Sequence, residues 1–151
     1  MIKGLTSFNI IIVLHHSEEK VLMCRRSKEP YLGLLNMVGG KMETGETPLD
    51  GAYRELFEET GIAREKIALL HLLDFYYPVD SCQVTVYAGK LRGEAKLREE
   101  AHRLLWVNIP GTDFFSMAEF AGEGNIGHMM EHVRLHREKI DALCAKELHH
   151  A

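Results

Sequence analysis

Between Gly40 and Ile62 the chain reads GKMETGETPLDGAYRELFEETGI, a stretch whose carboxylates sit at spacings that could do chemistry. On a helix each residue advances by about 100°, so Glu55, Glu58 and Glu59 share one face over an arc of roughly 100°. Carboxylates this close repel, and each like-charged pair destabilises a helix by roughly 0.2–0.5 kcal/mol. One or two bound cations would offset that repulsion. Oxygen-only ligands favour hard cations, Mg²⁺ or Mn²⁺, over zinc. Arg54 lies four residues before Glu58 and can orient a carboxylate, and Glu46 sits just ahead of the helix within reach of Arg54. An isolated EExxE run is more commonly a solvated charged face. Here Arg54, Glu46 and the turn at Gly39-Gly40, where backbone can approach a ligand without a side-chain barrier, point to a site.

The helix that carries these groups has clear signals at both ends. Thr47 can cap a free backbone N–H and Pro48 suits the first helical position. The spacing predicts a helix to about Thr60, stopped at Gly61 in a left-handed conformation. Leu49, Ala52, Tyr53, Leu56 and Thr60 form its second, mostly apolar side, which is expected to pack on a sheet. Gly51 in the middle costs roughly 1 kcal/mol relative to alanine, so it needs a packing or functional reason. Upstream, Phe8 to His15 and Lys20 to Arg26 read as strands, followed by a loop with Pro30 and Gly33 and a short extended piece at Asn36 to Val38. Downstream, Ile67 to Tyr77, Cys82 to Leu91 and Leu104 to Val107 read as strands. Thr112 to Phe120 and Ile126 to Leu143 read as helices. The interspersed elements predict an α/β fold with a mixed sheet covered by helices on both faces.

Composition narrows the partners. The chain has 151 residues, 46% apolar and 26% charged, which fits one domain spanning 1–151. A net charge of −4, from 18 Lys+Arg against 22 Asp+Glu, gives no global field for a nucleic-acid backbone. An anionic substrate therefore needs local neutralisation. Cys24, Cys82 and Cys144 are widely spaced, which argues against a disulfide framework or a cysteine zinc site. No apolar run approaches the roughly 20 residues of a membrane span, and Phe8 to Leu14 lacks a signal-peptide pattern, so a cytoplasmic location is expected. His128, His132 and His136 recur every four residues, but no further ligand completes a zinc pattern, and a partly exposed helix face is the expected role. His149-His150 reads as a frayed tail.

The segment also resembles a known family. Gly40, Glu46, Arg54-Glu55-Leu56, Glu58-Glu59 and Gly61-Ile62 fill all nine fixed positions of the Nudix box. The resemblance extends more loosely to Arg25-Arg26, to Leu105-Trp106-Val107 and to Pro110. It implies a Nudix-type α/β/α sandwich and divalent-metal-dependent hydrolysis of a nucleoside diphosphate-linked compound. By resemblance, Glu55, Glu58 and Glu59 are similar to the family's metal carboxylates, with Glu55 alternatively the base, and the Gly39 carbonyl an added ligand. Arg54 and Glu46 look like the pair that holds the helix carboxylates in place. MutT-like members often add a glutamate from a later loop; Glu99-Glu100 is the matching place, and Glu100 is the choice.

The string Asn36-Met37-Val38-Gly39-Gly40-Lys41 resembles the branch that converts oxidised purine nucleoside triphosphates, such as 8-oxo-dGTP, to monophosphate and pyrophosphate. Asn36 would then help read the base, since an amide offers both a donor and an acceptor; a turn asparagine is the plainer use. Gly40, Lys41 and Arg25 are further substrate candidates. The acidic pair that mammalian-type members of that branch carry after the Trp strand is missing, and Glu119 or Glu123 would have to replace it, with Glu119 the choice. Phe114, Phe115 and Phe120 could stack on a base or fill the core. Two other readings keep the box: hydrolysis of ADP-ribose, a dinucleoside polyphosphate or another nucleotide conjugate, and a nucleotide-sensing module without turnover. The expected partner is a small nucleotide, with neither a nucleic-acid polymer nor a membrane, acting on a monomer or homodimer.

Overall fold

A computed structural model describes residues 4–99 and 102–146. Its core is one seven-stranded mixed sheet. Strand β1 (Thr6–Leu14) forms a hairpin with β2 (Lys20–Arg25), and β2 continues outward to β3 (Leu35–Asn36) and β7 (Arg103–Asn108). On its other edge β1 runs parallel to β6 (Cys82–Lys90), from Thr6 opposite Cys82 to Leu14 opposite Lys90, and β5 (Leu70–Tyr77) closes that side antiparallel to β6. β4 (Val38–Lys41) also pairs with β1, antiparallel, setting Asn9 opposite Gly40 and Ile10 opposite Gly39.

Four consecutive residues of β1, Ile11 to Leu14, are buried, as expected of a strand covered on both faces. Side chains alternate between the faces, so Ile12, Leu14, Val21 and Met23 join one core while Ile11, Val13, Leu22 and Cys24 join the other. Helix α1 (Pro48–Thr60) covers the second core through Ala52 and Leu56, with Ile62 and Ile67 beyond it. Helices α2 (Asn125–Leu135) and α3 (Arg137–Cys144) cover the first. The result is the α/β/α sandwich expected. Among the described residues no helix is long and apolar enough to cross a membrane.

Three expected elements differ. Thr112 to Phe120 is a series of turns rather than a helix. Asp113 takes the Phe115 N–H with its own carboxylate, a local bond that competes with a helical ladder, and the segment ends in a bridge between Phe120 and Leu35. The long C-terminal helix breaks at His136 (φ −115°, ψ 21°). The break turns α3 back toward β5 and β6, where Ile140 enters the core that Met129 and Val133 of α2 also fill. Strand β5 starts at Leu70, because a short 3-10 turn at Arg64–Lys66 and a lone bridge at Ile67 precede it.

Candidate active site

The ends of α1 are built as the sequence pattern predicts. Thr47 accepts the Asp50 N–H at 3.1 Å, and Gly61 (φ 79°) returns its N–H to Phe57. Tyr53 hydrogen-bonds Ile67 and Leu69, pinning the helix to the following chain, whereas Leu49 at 37% exposure stays outside the apolar stripe. Arg54 is the hub of the polar face. Its Nε and Nη2 donate to the two Glu46 oxygens at 2.9 and 2.8 Å, a bidentate fork. Its Nη1 donates to Glu55 and to Glu58, both at 3.0 Å, and Nη2 also reaches the Lys41 carbonyl. Arg54 holds the Glu46 carboxyl down to about 2.

Two glycines make room for these carboxylates. A Cβ on Gly40 would fall 2.5–2.6 Å from the Glu55 carboxylate, and one on Gly51 would fall 2.7 Å from Glu46 Oε1. Gly39 passes so close to β1 that a Cβ would lie 2.1 Å from the Asn9 carbonyl. Gly51 is thereby explained: it lets Glu46 lie against the helix.

The three helix carboxylates divide their roles. Glu58 is exposed and engaged with Arg54. Glu55 and Glu59 are both withdrawn from solvent, at 13% and 14% side-chain exposure. Burial, followed by the Glu55 charge beside it, pushes Glu59 up to about 7, even though the Gly39 backbone hydrogen bond works against this rise. Among the described residues no three acidic, imidazole or thiol side chains converge tightly enough to enclose a cation by themselves. The donor set nonetheless fits a hard cation: two oxygen-only groups pressed together, the Glu55 charge raising the cost of ionising Glu59, with the Gly40 gap holding Glu55 in place.

A cavity of about 180 Å³ opens beside Glu59, lined by Cys24, Arg26, Ser27, Lys28, Gly39 and His102. His102 Nε2 lies 4.0 Å from Glu59, and its buried Nδ1 has no hydrogen-bond partner among the described residues. Burial, and secondarily Glu59, raise the Cys24 thiol to about 11, so it stays protonated. A second cavity of about 130 Å³ includes Tyr31, Asn36, Phe75, Tyr77, Asn125 and Met129 in its lining. Asn36 Oδ1 accepts the Met37 N–H, which leaves its Nδ2 as a donor.

A family model described as NUDIX domain matches residues 6–125. The chain belongs to the Nudix family. It is 31% identical over 67 residues to the 8-oxo-dGTP diphosphatase of Escherichia coli (strain K12), covering 44% of this chain and 52% of that one. It is 28% identical over 138 residues to the NAD-capped RNA hydrolase NudC of Haemophilus influenzae, covering 90% of this chain and 50% of the other. The Nudix chain thus spans about half the length of these curated relatives. A crystal structure of a NUDIX hydrolase from Nitrosomonas europaea superposes with a TM-score of 0.69 at 21% identity, covering 92% of this chain and 75% of that one, and establishes the shared fold.

Within this Nudix domain the structure brings Glu46, Arg54, Glu55, Glu58, Glu59, Gly39 and Gly40 together. Other residues singled out in the sequence lie elsewhere. Arg25 is exposed and its Nη1 bonds the Gly33 carbonyl, so Arg26, rather than Arg25, lines the cavity beside Glu59. Strand parity carried that signal: Arg26 falls on the face of Leu22 and Cys24, toward α1. Lys41 is exposed and meets the site through its carbonyl. Glu119 is exposed and its carbonyl holds Leu35 N, while Glu123 is bonded to Tyr31 at the second cavity. Phe114 and Phe120 are core residues in contact with each other, and Phe115 covers Gly127. Glu100 and His149-His150 lie outside the described residues. Lys28, His102, Tyr77 and Asn125 were not legible, because only long-range folding brings the loop after β2, the residue ahead of β7, the end of β5 and the start of α2 to the cavities.

Proposed function

We propose that this Nudix domain hydrolyses the phosphoric anhydride of a nucleoside triphosphate, such as 8-oxo-dGTP, to the monophosphate and pyrophosphate, with Mg²⁺ or Mn²⁺. One observation carries the reading: Glu59, paired with Glu55, lines the same cavity as Arg26 and Lys28. A bare anion would be repelled by the carboxylates and a bare cation by the basic side chains. A cation together with a polyphosphate satisfies both.

When bound, the divalent ion supplies charge neutralisation at the diphosphate and lowers the pKa of an attacking water. Glu55 and Glu59 would hold it, with Glu58 beside them as the third carboxylate of that face. Arg54, itself fixed by Glu46, keeps Glu55 in register over Gly40. Arg26 and Lys28 balance the remaining phosphate charge. We read Glu58, open to solvent, as the carboxylate that accepts the water proton. Asn36, Tyr77 and Asn125 form the wall against which the base lies, and the similarity to the 8-oxo-dGTP diphosphatase supports an oxidised purine there. The longer similarity to the NAD-capped RNA hydrolase supports a second reading, hydrolysis of a nucleotide conjugate.

The test is a product assay with either metal on 8-oxo-dGTP, unmodified dNTPs, ADP-ribose, NAD, an NAD-capped oligonucleotide and diadenosine polyphosphates. Pyrophosphate plus monophosphate from a triphosphate is expected. AMP from ADP-ribose or NAD instead assigns the second reading. Metal-dependent binding without any product overturns both and makes the chain a sensor. Glu58→Gln should keep the fold and lose roughly 100-fold or more in kcat.

A further inference from the structure

The cavity behind Asn36 is bounded by a bond between two loops that are remote in sequence. The Tyr31 hydroxyl donates to the Glu123 carboxylate, with oxygen separations of 2.5 and 2.7 Å. Tyr31 and Gly122 both line the cavity, so this bond spans its edge. Both partners have positive φ, 68° and 51°, which is uncommon for residues with a Cβ and is held by the surroundings. Each loop is anchored to the strands beneath it. Around the Tyr31 loop Arg26 donates its N–H to the Leu34 carbonyl and accepts the Gly33 N–H, and Leu35 bonds Glu119 and Ala121 on either side of Phe120. The contact is therefore a fixed wall. The Glu123 carboxylate raises the Tyr31 hydroxyl to about 12, so it remains a donor at neutral pH.

The rest of the lining shows what such a wall would select. Asn125 donates from Nδ2 to Tyr77, leaving its Oδ1 as an acceptor, while Asn36 offers its Nδ2 as a donor. Ile10, Phe75, Val84 and Met129 supply apolar surface. A flat heterocycle with adjacent N–H and carbonyl groups matches this combination.

We propose that Tyr31 and Glu123 are a selectivity pair: their bond fixes the Tyr31 ring as one wall of the base cavity and so sets which base is accepted. The inference rests on reading that cavity as the base site. Both residues position; neither touches the reacting phosphates.

The experiment measures calorimetric affinities, with Mg²⁺, for dGMP, 8-oxo-dGMP, dAMP, dCMP and dTMP, with inorganic pyrophosphate as the base-free control. Wild type is expected to spread widely across the monophosphates. Tyr31→Phe and Glu123→Ala should each narrow that spread about tenfold, the scale of one charge-assisted hydrogen bond. The double variant should be no worse than either single one, and Glu123→Gln, which still accepts from the hydroxyl, should restore the spread. Pyrophosphate affinity should not change. An unchanged spread in both single variants, an equal loss of pyrophosphate binding, additive effects, or a wild type indifferent to the base would each overturn the pair. Absence of turnover in the product assay with a wide affinity spread would strike the proposed reaction and leave the pair standing.

Discussion

Gly51 occupies a helix interior where alanine is favoured by about 1 kcal/mol. Its hydrogen faces Glu46 Oε1, and any Cβ there would lie 2.7 Å from that oxygen. Gly51→Ala should therefore gain helix propensity yet displace Glu46 from Arg54. We expect kcat to fall about tenfold or more while the melting temperature changes little, since a misplaced supporting group weakens positioning more than folding. An alanine variant with wild-type kcat would remove the Glu46 fork from the account. The same fork has a pH signature. Arg54 lowers Glu46 from 4.5 to about 2, so its contribution to stability is complete above 4.5 and is lost as pH falls toward 2. Thermal melts over that window should show wild type losing more stability than Glu46→Gln; parallel losses would contradict the pairing.

Helix α1 was the most legible element, because its signals are local: a Thr-Pro start, a glycine stop, and carboxylates on one side of an apolar stripe. Removing the cap tests how far the site depends on that geometry. Thr47→Ala should cost about 1 kcal/mol in urea unfolding. A loss near zero would mean that packing of Ala52 and Leu56 alone sets the first turn. The segments that departed from expectation did so for non-local reasons. Thr112 to Phe120 has helical-looking spacing, but Phe120 is committed to β3 and Asp113 to its own backbone. The break at His136 follows from where Ile140 must go, which no periodicity within α2 and α3 encodes.

At the scale of the whole molecule, the mixed, doubly covered sheet was readable from the alternation of elements and from the unbroken apolar run in β1. The pairing order was not. That β4 joins β1 opposite Asn9 and Ile10, and that β1 runs parallel to β6, depends on long-range contacts. This order is what sets Gly39 and Gly40 under Glu59 and Glu55, and the loop after β2 beside them. The sandwich is thus the device that brings a pair of half-buried carboxylates to the rim of a basic cavity. The central claim is that this pair holds a hard divalent ion, and Mn²⁺ titration followed by electron paramagnetic resonance reads it directly. Wild type should take up Mn²⁺, and Glu55→Gln/Glu59→Gln, with unchanged circular dichroism, should take up none at the same concentrations. Equal uptake by both proteins, or none by wild type even with nucleotide present, would contradict it.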